Sequence, residues 1–281
     1  MRNFKLLFGG IFFVLLLGFA LIGPTIAKSR SKLPDPMQIS AFLPWQTVSP
    51  ETPLGTDGLG RDAMAVFLNG MRLSLGVGFV AGLIGTLIGV MIGFIAGYIG
   101  GGTDTILRII TDMFLVVPTL PLLMVLSISV DKWDLFTIGL LLGIFSWPFV
   151  ARSVRAQVFS LSQRPFVDLA RINNQNSLEI IVQELIPGLL PYIFLSVSSA
   201  AVGAMLAEAG LQILGIGSGQ LPTLGYLMAR AMGAGALSGG FAGQVLLPAA
   251  YLTMTFLCLN MINMGLDEVF NPRLQSTAQE H

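Results

Sequence analysis

Six stretches of this chain run long enough, with no charge or only one, to cross a lipid bilayer. A membrane-spanning helix needs about 20 mostly apolar residues to cover a hydrocarbon core roughly 30 Å thick. Residues 6–27, 73–102, 135–151, 189–207 and 245–266 carry no charged side chain, and residues 109–130 carry only Asp112. The pattern predicts an all-α integral membrane protein with six transmembrane helices. Composition agrees, with 54% hydrophobic and 11% charged residues where soluble domains average about 25% charged. That surplus exceeds what a soluble core of this length can bury.

The segments divide as a short N-terminus (1–5), a first anchor (6–27), a loop (28–72), a core with the other five spans (73–275) and a tail (276–281). Arg2 and Lys5 imitate the charged start of a signal peptide, but the apolar run behind them is longer than a secretory one, which predicts an uncleaved anchor. Five prolines between residues 34 and 53 make the first loop an ordered connection rather than a folded domain.

Fifteen basic and fifteen acidic residues cancel, which gives no support to nucleic-acid binding or to polybasic attachment at a lipid surface. Cys258 is the only cysteine and lies in an apolar run, where it reads as a small hydrophobe. His281 is the only histidine, so the inventory excludes a His/Cys metal cluster and a histidine-based triad. An even number of spans puts both termini and the 152–188 loop on one side. The basic residues split eight on that side and seven on the other, so their bias does not set the orientation.

Within the second span, Gly78, Gly82, Gly85, Gly89, Gly93 and Gly97 fall mostly on one helical stripe, a surface that lets another helix approach closely. Arg108 and Asp112 are four residues apart and are expected to pair near the membrane boundary. Glu208 lies about 28 Å along its helix from residue 189, toward the opposite surface. These two acids are read as structural, with a proton relay as the alternative.

The 152–188 loop is the most informative. Pro165 can open a helix carrying Phe166, Val167, Leu169, Ala170 and Ile172, interrupted by Asp168 and Arg171. Asn173 to Asn176 break it, Asn176 to Glu179 reads as a capping box, and the second helix is expected to end before Pro187. An exposed apolar helix wants a groove; lying flat on the lipid surface is the alternative.

Here the chain resembles the inner-membrane permease subunits of ATP-binding-cassette importers, in particular the peptide, opine and nickel group. The loop is similar to that superfamily's coupling motif at Asp168, Leu169, Ala170, Asn174, Ile186 and Pro187. Leu169 stands where the pattern has alanine, and Asn174 where it has glycine, a mild change because asparagine tolerates a left-handed turn. Further blocks match in order: Leu54 to Asp62 (with Asp57, Gly60, Arg61 and Asp62) and Gly70 to Leu75; Gly97 to Gly101, then Asp104, Arg108, Asp112 and Pro118. Next come Trp147 and Pro148 through Arg152, with Arg155; then Glu208 with Leu214 to Gly217; and Asp267 with Asn271, Pro272, Arg273 and Leu274.

The resemblance implies a type I importer permease in a bacterial or archaeal cytoplasmic membrane, with both termini and the 152–188 loop in the cytoplasm. It implies a homologous second permease, two cytoplasmic ATPases that bind ATP and Mg, and an extracellular or periplasmic substrate-binding protein. No cofactor is expected on this chain, which has no G-x-x-x-x-G-K-[ST] phosphate loop; no catalytic site is expected either. The cargo reads equally as oligopeptides or oligosaccharides, with nickel a lesser choice. A proton-coupled secondary transporter using Asp112 and Glu208 is the rival function. Residues 232–243 read as an external loop or as part of a re-entrant hairpin.

Overall fold

A computed structural model describes residues 4–127, 129, 134–216 and 221–270. The helices are α1 (Phe4–Arg30), α2 (Ala63–Ile99), α3 (Gly101–Val116), α4 (Thr119–Ser127), α5 (Leu135–Ser162), α6 (Pro165–Ile172), α7 (Ser177–Glu179), α8 (Ile186–Ile213), α9 (Leu224–Gly233) and α10 (Gly243–Phe270). A π-helical segment, Ile180–Leu185, joins α7 to α8. No strand occurs among the described residues, only two isolated bridges in the loop before α2.

Among the described residues, five helices are long and apolar enough to cross a membrane: α1, α2, α5, the continuous run Ser177–Ile213, and Gly243–Leu266 of α10. The span expected over 109–130 is not one helix. It is α3 and α4, bent by 77° at their junction, and the pair makes a sixth span only when taken together. The cause is local: Pro118 pushes the residue before it out of the helical region, and Val117 sits at φ −67°, ψ 124°.

The helices overrun the apolar stretches. α2 starts at Ala63, nine residues upstream of the last charge before its apolar run, so the loop between α1 and α2 covers only 31–62. Its 37 residues span about 55 Å, more than a hydrocarbon core, and its first turns adjoin the loop that precedes it. Asp62 caps it by accepting from the Met64 amide at 3.0 Å. α5 runs to Ser162, which places Arg152 and Arg155 on a helix rather than in a loop.

The glycine stripe works as expected for close packing. A Cβ at Gly89 would lie 2.6 Å from the Val150 Cβ, and one at Gly97 would lie 2.9 Å from the Val158 Cβ, both on α5. α5 answers with Gly139 and Gly143, which meet Val80 and Ile84 of α2. Toward the N-terminal end of α2 the stripe turns to α8, where Gly78 and Gly82 meet Met205 and Ala201. α2 thus packs against α5 along most of its length and against α8 at one end, while α1 packs on α10 through Gly9 and Gly265. Cys258 is a free buried thiol in that last contact.

The second loop helix does not stop before Pro187. Asn176 does form the capping box with Glu179, but the chain then passes through the π-helical turn into α8, with Pro187 in its first turn. A π turn changes the hydrogen-bond register, which accommodates a proline that cannot donate.

Candidate functional site

The chemistry-bearing residues gather at three levels along the bundle. At the α6 end, the sequence makes an eight-residue helix with two apolar faces. Val167 and Ala170 are buried and pack with Val158, Ile180, Leu185 and Leu189, so one face belongs to the chain's own core. Phe166, Leu169 and Ile172 point away, the last 75% exposed. Asp168 stands in the first turn, where a carboxylate complements the helix dipole. Asn174 adopts φ 56°, and the Gln175 amide donates to the Ala170 carbonyl at 3.1 Å, a left-handed cap that closes the helix. This turn is why asparagine can replace glycine here. Ile186 packs against the same core cluster and Pro187 lies in the first turn of α8, so the motif residues converge. Arg171 lies in the last turn, and its side chain is outside the described set.

Above this level lies a charged cluster whose pairing differs from expectation. Asp112 pairs with Arg152 of α5, not with Arg108 on its own helix. Arg155 grips Asp104 with two bonds, one from Nη2 to Oδ2 at 2.6 Å. Cross-helix pairs win because α3 lies alongside α5, and a guanidinium from a neighbouring helix can meet a carboxylate head-on. Asp104 and Arg155 were legible as motif members but not as partners. A cavity of about 260 Å³ opens here between α2, α3 and α5, lined by Arg108, Arg152, Arg155 and Asp112. Farther along, Trp147 is buried with its ring 5.3 Å from that of Phe114. Pro148 lines a larger cavity of about 360 Å³ between α3, α4, α5 and α8, with Phe145, Ser146, Phe149, Ser199 and Gly203.

At the opposite end, the loop before α2 folds around a buried ion pair. Asp57 accepts from the Leu59 and Arg61 amides, both at 2.9 Å, and from the Arg61 guanidinium at 2.7 and 2.6 Å. Arg61 also donates to the Tyr226 hydroxyl at 3.3 Å and lies over its ring. Gly60 needs its φ of 68°, and a Cβ there would sit 2.2 Å from the Phe42 carbonyl oxygen. Asp62 has its carboxyl raised above the usual range by burial, an effect opposed by the Met64 amide and by Arg30.

Glu208, 3% exposed, accepts from the Thr223 hydroxyl at 2.6 Å. Thr223 in turn caps α9 through the Tyr226 amide at 3.2 Å, and the Leu224 amide donates to Ser74 of α2 at 3.0 Å. Glu208 therefore helps hold the start of α9 against α8 and α2. Ser74 lies in the Gly70 to Leu75 block, but that Ser74, Thr223 and Tyr226 would act here escaped the sequence reading, although a threonine before an apolar run is an N-cap signal. Residues 232–243 form the end of α9 and a turn that packs Phe241 on Trp45. Pro272 and Arg273 lie outside the described residues. No group of His, Cys, Asp and Glu that could hold a metal occurs among the described residues.

Comparison with known proteins matches residues 89–276 to the family described as "Binding-protein-dependent transport system inner membrane component". The oligopeptide transport system permease protein OppC of Mycobacterium tuberculosis H37Rv is 33% identical over 226 residues, 79% of this chain and 76% of the relative. OppC of Escherichia coli K12 is 34% identical over 221 residues, 78% and 72% respectively. The probable peptide ABC transporter permease protein y4tQ of Sinorhizobium fredii is 30% identical over 240 residues, 85% and 81%.

Proposed function

The chain belongs to the family of inner membrane components of binding-protein-dependent transport systems, and from that premise we propose that it forms half of the path of an ATP-driven oligopeptide importer. A second permease encloses the other half, two cytoplasmic ATPases hold ATP and Mg, and a binding protein outside the cytoplasmic membrane delivers cargo. Both termini and α6 lie in the cytoplasm, and the loop around Asp57 lies outside.

The observation that carries the reading is α6. Its inner face is anchored in the chain's own core, while Leu169 and Ile172, 60% and 75% exposed, form a separate apolar face with the partly covered Phe166. Such a face fits a groove, and its inner anchorage to α5 and α8 gives a push from an ATPase a direct route into the bundle. The two-sidedness refines which residues touch the partner: Leu169 and Ile172 meet the ATPase, whereas Val167 and Ala170 hold α6 to the bundle.

Peptide cargo is favoured over oligosaccharide by the names of the relatives. The wall of the 360 Å³ cavity fits that choice, because it offers apolar and hydroxyl groups and no charged side chain. A wall of that kind does not discriminate among peptide side chains by charge. A proton-coupled transporter is not favoured: Asp112 is paired with Arg152, Glu208 is bonded to Thr223, and the two sit at different levels.

The test is the double variant Leu169→Asp, Ile172→Asp, expressed with its partner subunits. Membrane insertion should be unchanged, while ATPase co-purification and ATP-driven uptake of labelled peptide should fall at least tenfold. Uptake at the wild-type rate would refute the assignment of α6.

A further inference from the structure

The 260 Å³ cavity between α2, α3 and α5 has a charge balance that the protein does not close by itself. Three guanidinium groups, Arg108, Arg152 and Arg155, face two carboxylates. Asp104 is taken by Arg155 and Asp112 by Arg152. Arg108 makes no ion pair among the described residues. Each guanidinium carries five N–H donors, so Arg152 and Arg155 keep donors beyond those their carboxylates use. The cavity therefore has an excess of one positive charge and several free donors, the complement of an anionic oxygen group.

Its depth matters as much as its charge. Arg155 lies twenty residues along α5 from Leu135, about 30 Å at 1.5 Å per residue, which is the thickness of the hydrocarbon core. The cavity is thus at headgroup level near the α6 end. On the adjoining face of α3, Ile106, Ile109, Ile110 and Met113 are exposed, an apolar strip one turn from the arginines. A basic pocket between helices at this level, with apolar surface beside it, suits a phosphate that arrives attached to acyl chains.

We propose that this cavity binds the phosphate of an anionic phospholipid, with Arg108 as the main donor and Arg152 and Arg155 oriented for it by Asp112 and Asp104. The acyl chains lie along Ile106, Ile109 and Met113. Assignment to the cytoplasmic leaflet rests on the orientation proposed above; the binding chemistry does not.

The chain, co-expressed with its partner subunits, is purified and placed in nanodiscs of phosphatidylcholine alone or with phosphatidylglycerol. Phosphatidylglycerol should raise the melting temperature of the wild type by several degrees and remain bound in native mass spectra. Arg108→Gln should melt as the wild type does in phosphatidylcholine and lose the response to phosphatidylglycerol, and Arg108→Lys should keep part of it. Inorganic phosphate added to phosphatidylcholine discs should give no shift. An equal shift with inorganic phosphate would overturn the lipid as occupant in favour of a soluble anion. No shift with either, an undiminished response in Arg108→Gln, or loss of a partner subunit in that variant would overturn the site. None of these readouts uses ATP or peptide, so a failure here is distinct from a failure of the transport reading.

Discussion

Removing either partner of the Asp57–Arg61 pair should be among the most damaging single changes outside the membrane-spanning segments. The two side chains are only 3% and 6% exposed, so water cannot replace a missing partner. Breaking a buried pair typically costs about 3–5 kcal/mol, because a charge is left uncompensated. The structure orders the variants within that range. Arg61→Met leaves Asp57 with two backbone donors, the Leu59 and Arg61 amides, and should cost about 3 kcal/mol. Asp57→Ala strands Arg61 with only the Tyr226 hydroxyl and ring and frees two amides, each worth about 1–3 kcal/mol if unsatisfied. It should reach about 5 kcal/mol or more. The double variant Asp57→Ala, Arg61→Met removes both charges, so it should cost clearly less than the two single changes together. The exposed pair Lys32–Glu51, 88% and 63% exposed, is the control, and Lys32→Ala should have no measurable effect. Unfolding in mixed micelles of rising dodecyl sulfate fraction reads all four. Single-variant costs below about 1 kcal/mol, or strict additivity in the double, would refute the claim that this buried pair organises the loop before α2.

Gly89→Val should destabilise the bundle by about 1–3 kcal/mol, since its side chain would collide with Val150. Gly203→Ala, with nothing within 4 Å of the added carbon, should be neutral or stabilising in the same assay; the reverse ranking would sink the seam as described. Glu208→Gln keeps an acceptor for Thr223 and should preserve peptide uptake across pH, so loss of uptake would restore a proton-carrying role. Asp62→Asn probes the raised carboxyl. A folded-state value above the unfolded one means the charged form costs stability at neutral pH, and that cost disappears as pH falls through the folded-state value and below the unfolded one. The amide can still cap α2, so the variant should be at least as stable as the wild type at neutral pH and should lose the rise on acidification. A destabilised variant at neutral pH would contradict this.

The membrane class, the number of apolar runs and the glycine seam were legible because each rests on a periodicity or a length that a bilayer imposes. The turn at Asn174 and the capping box at Asn176 were legible for a different reason, as local chemistry with few alternatives. Partner choice among charges was not: Arg108 and Asp112 satisfy the helical spacing rule, yet the pairs form across α3 and α5, which no spacing along one chain reveals. The break at Val117 had its signal in Pro118, but a long apolar run concealed it. The continuation through Pro187 needed a π turn, which has no reliable sequence mark. The role of Glu208 depended on Thr223, fifteen residues away and on another element.

The seam between α2 and α5 sets a condition on how the bundle can move. Gly85, Gly89, Gly93 and Gly97 repeat every fourth position and each faces a side chain of α5. A slide of one or two residues would drive those side chains into positions that carry bulk, while a slide of four residues, about 6 Å, would bring glycine back to meet them. The pair behaves like a rack with detents, stable at whole-turn settings and blocked between them. A displacement of α5 would thus carry α2 with it instead of being absorbed between them.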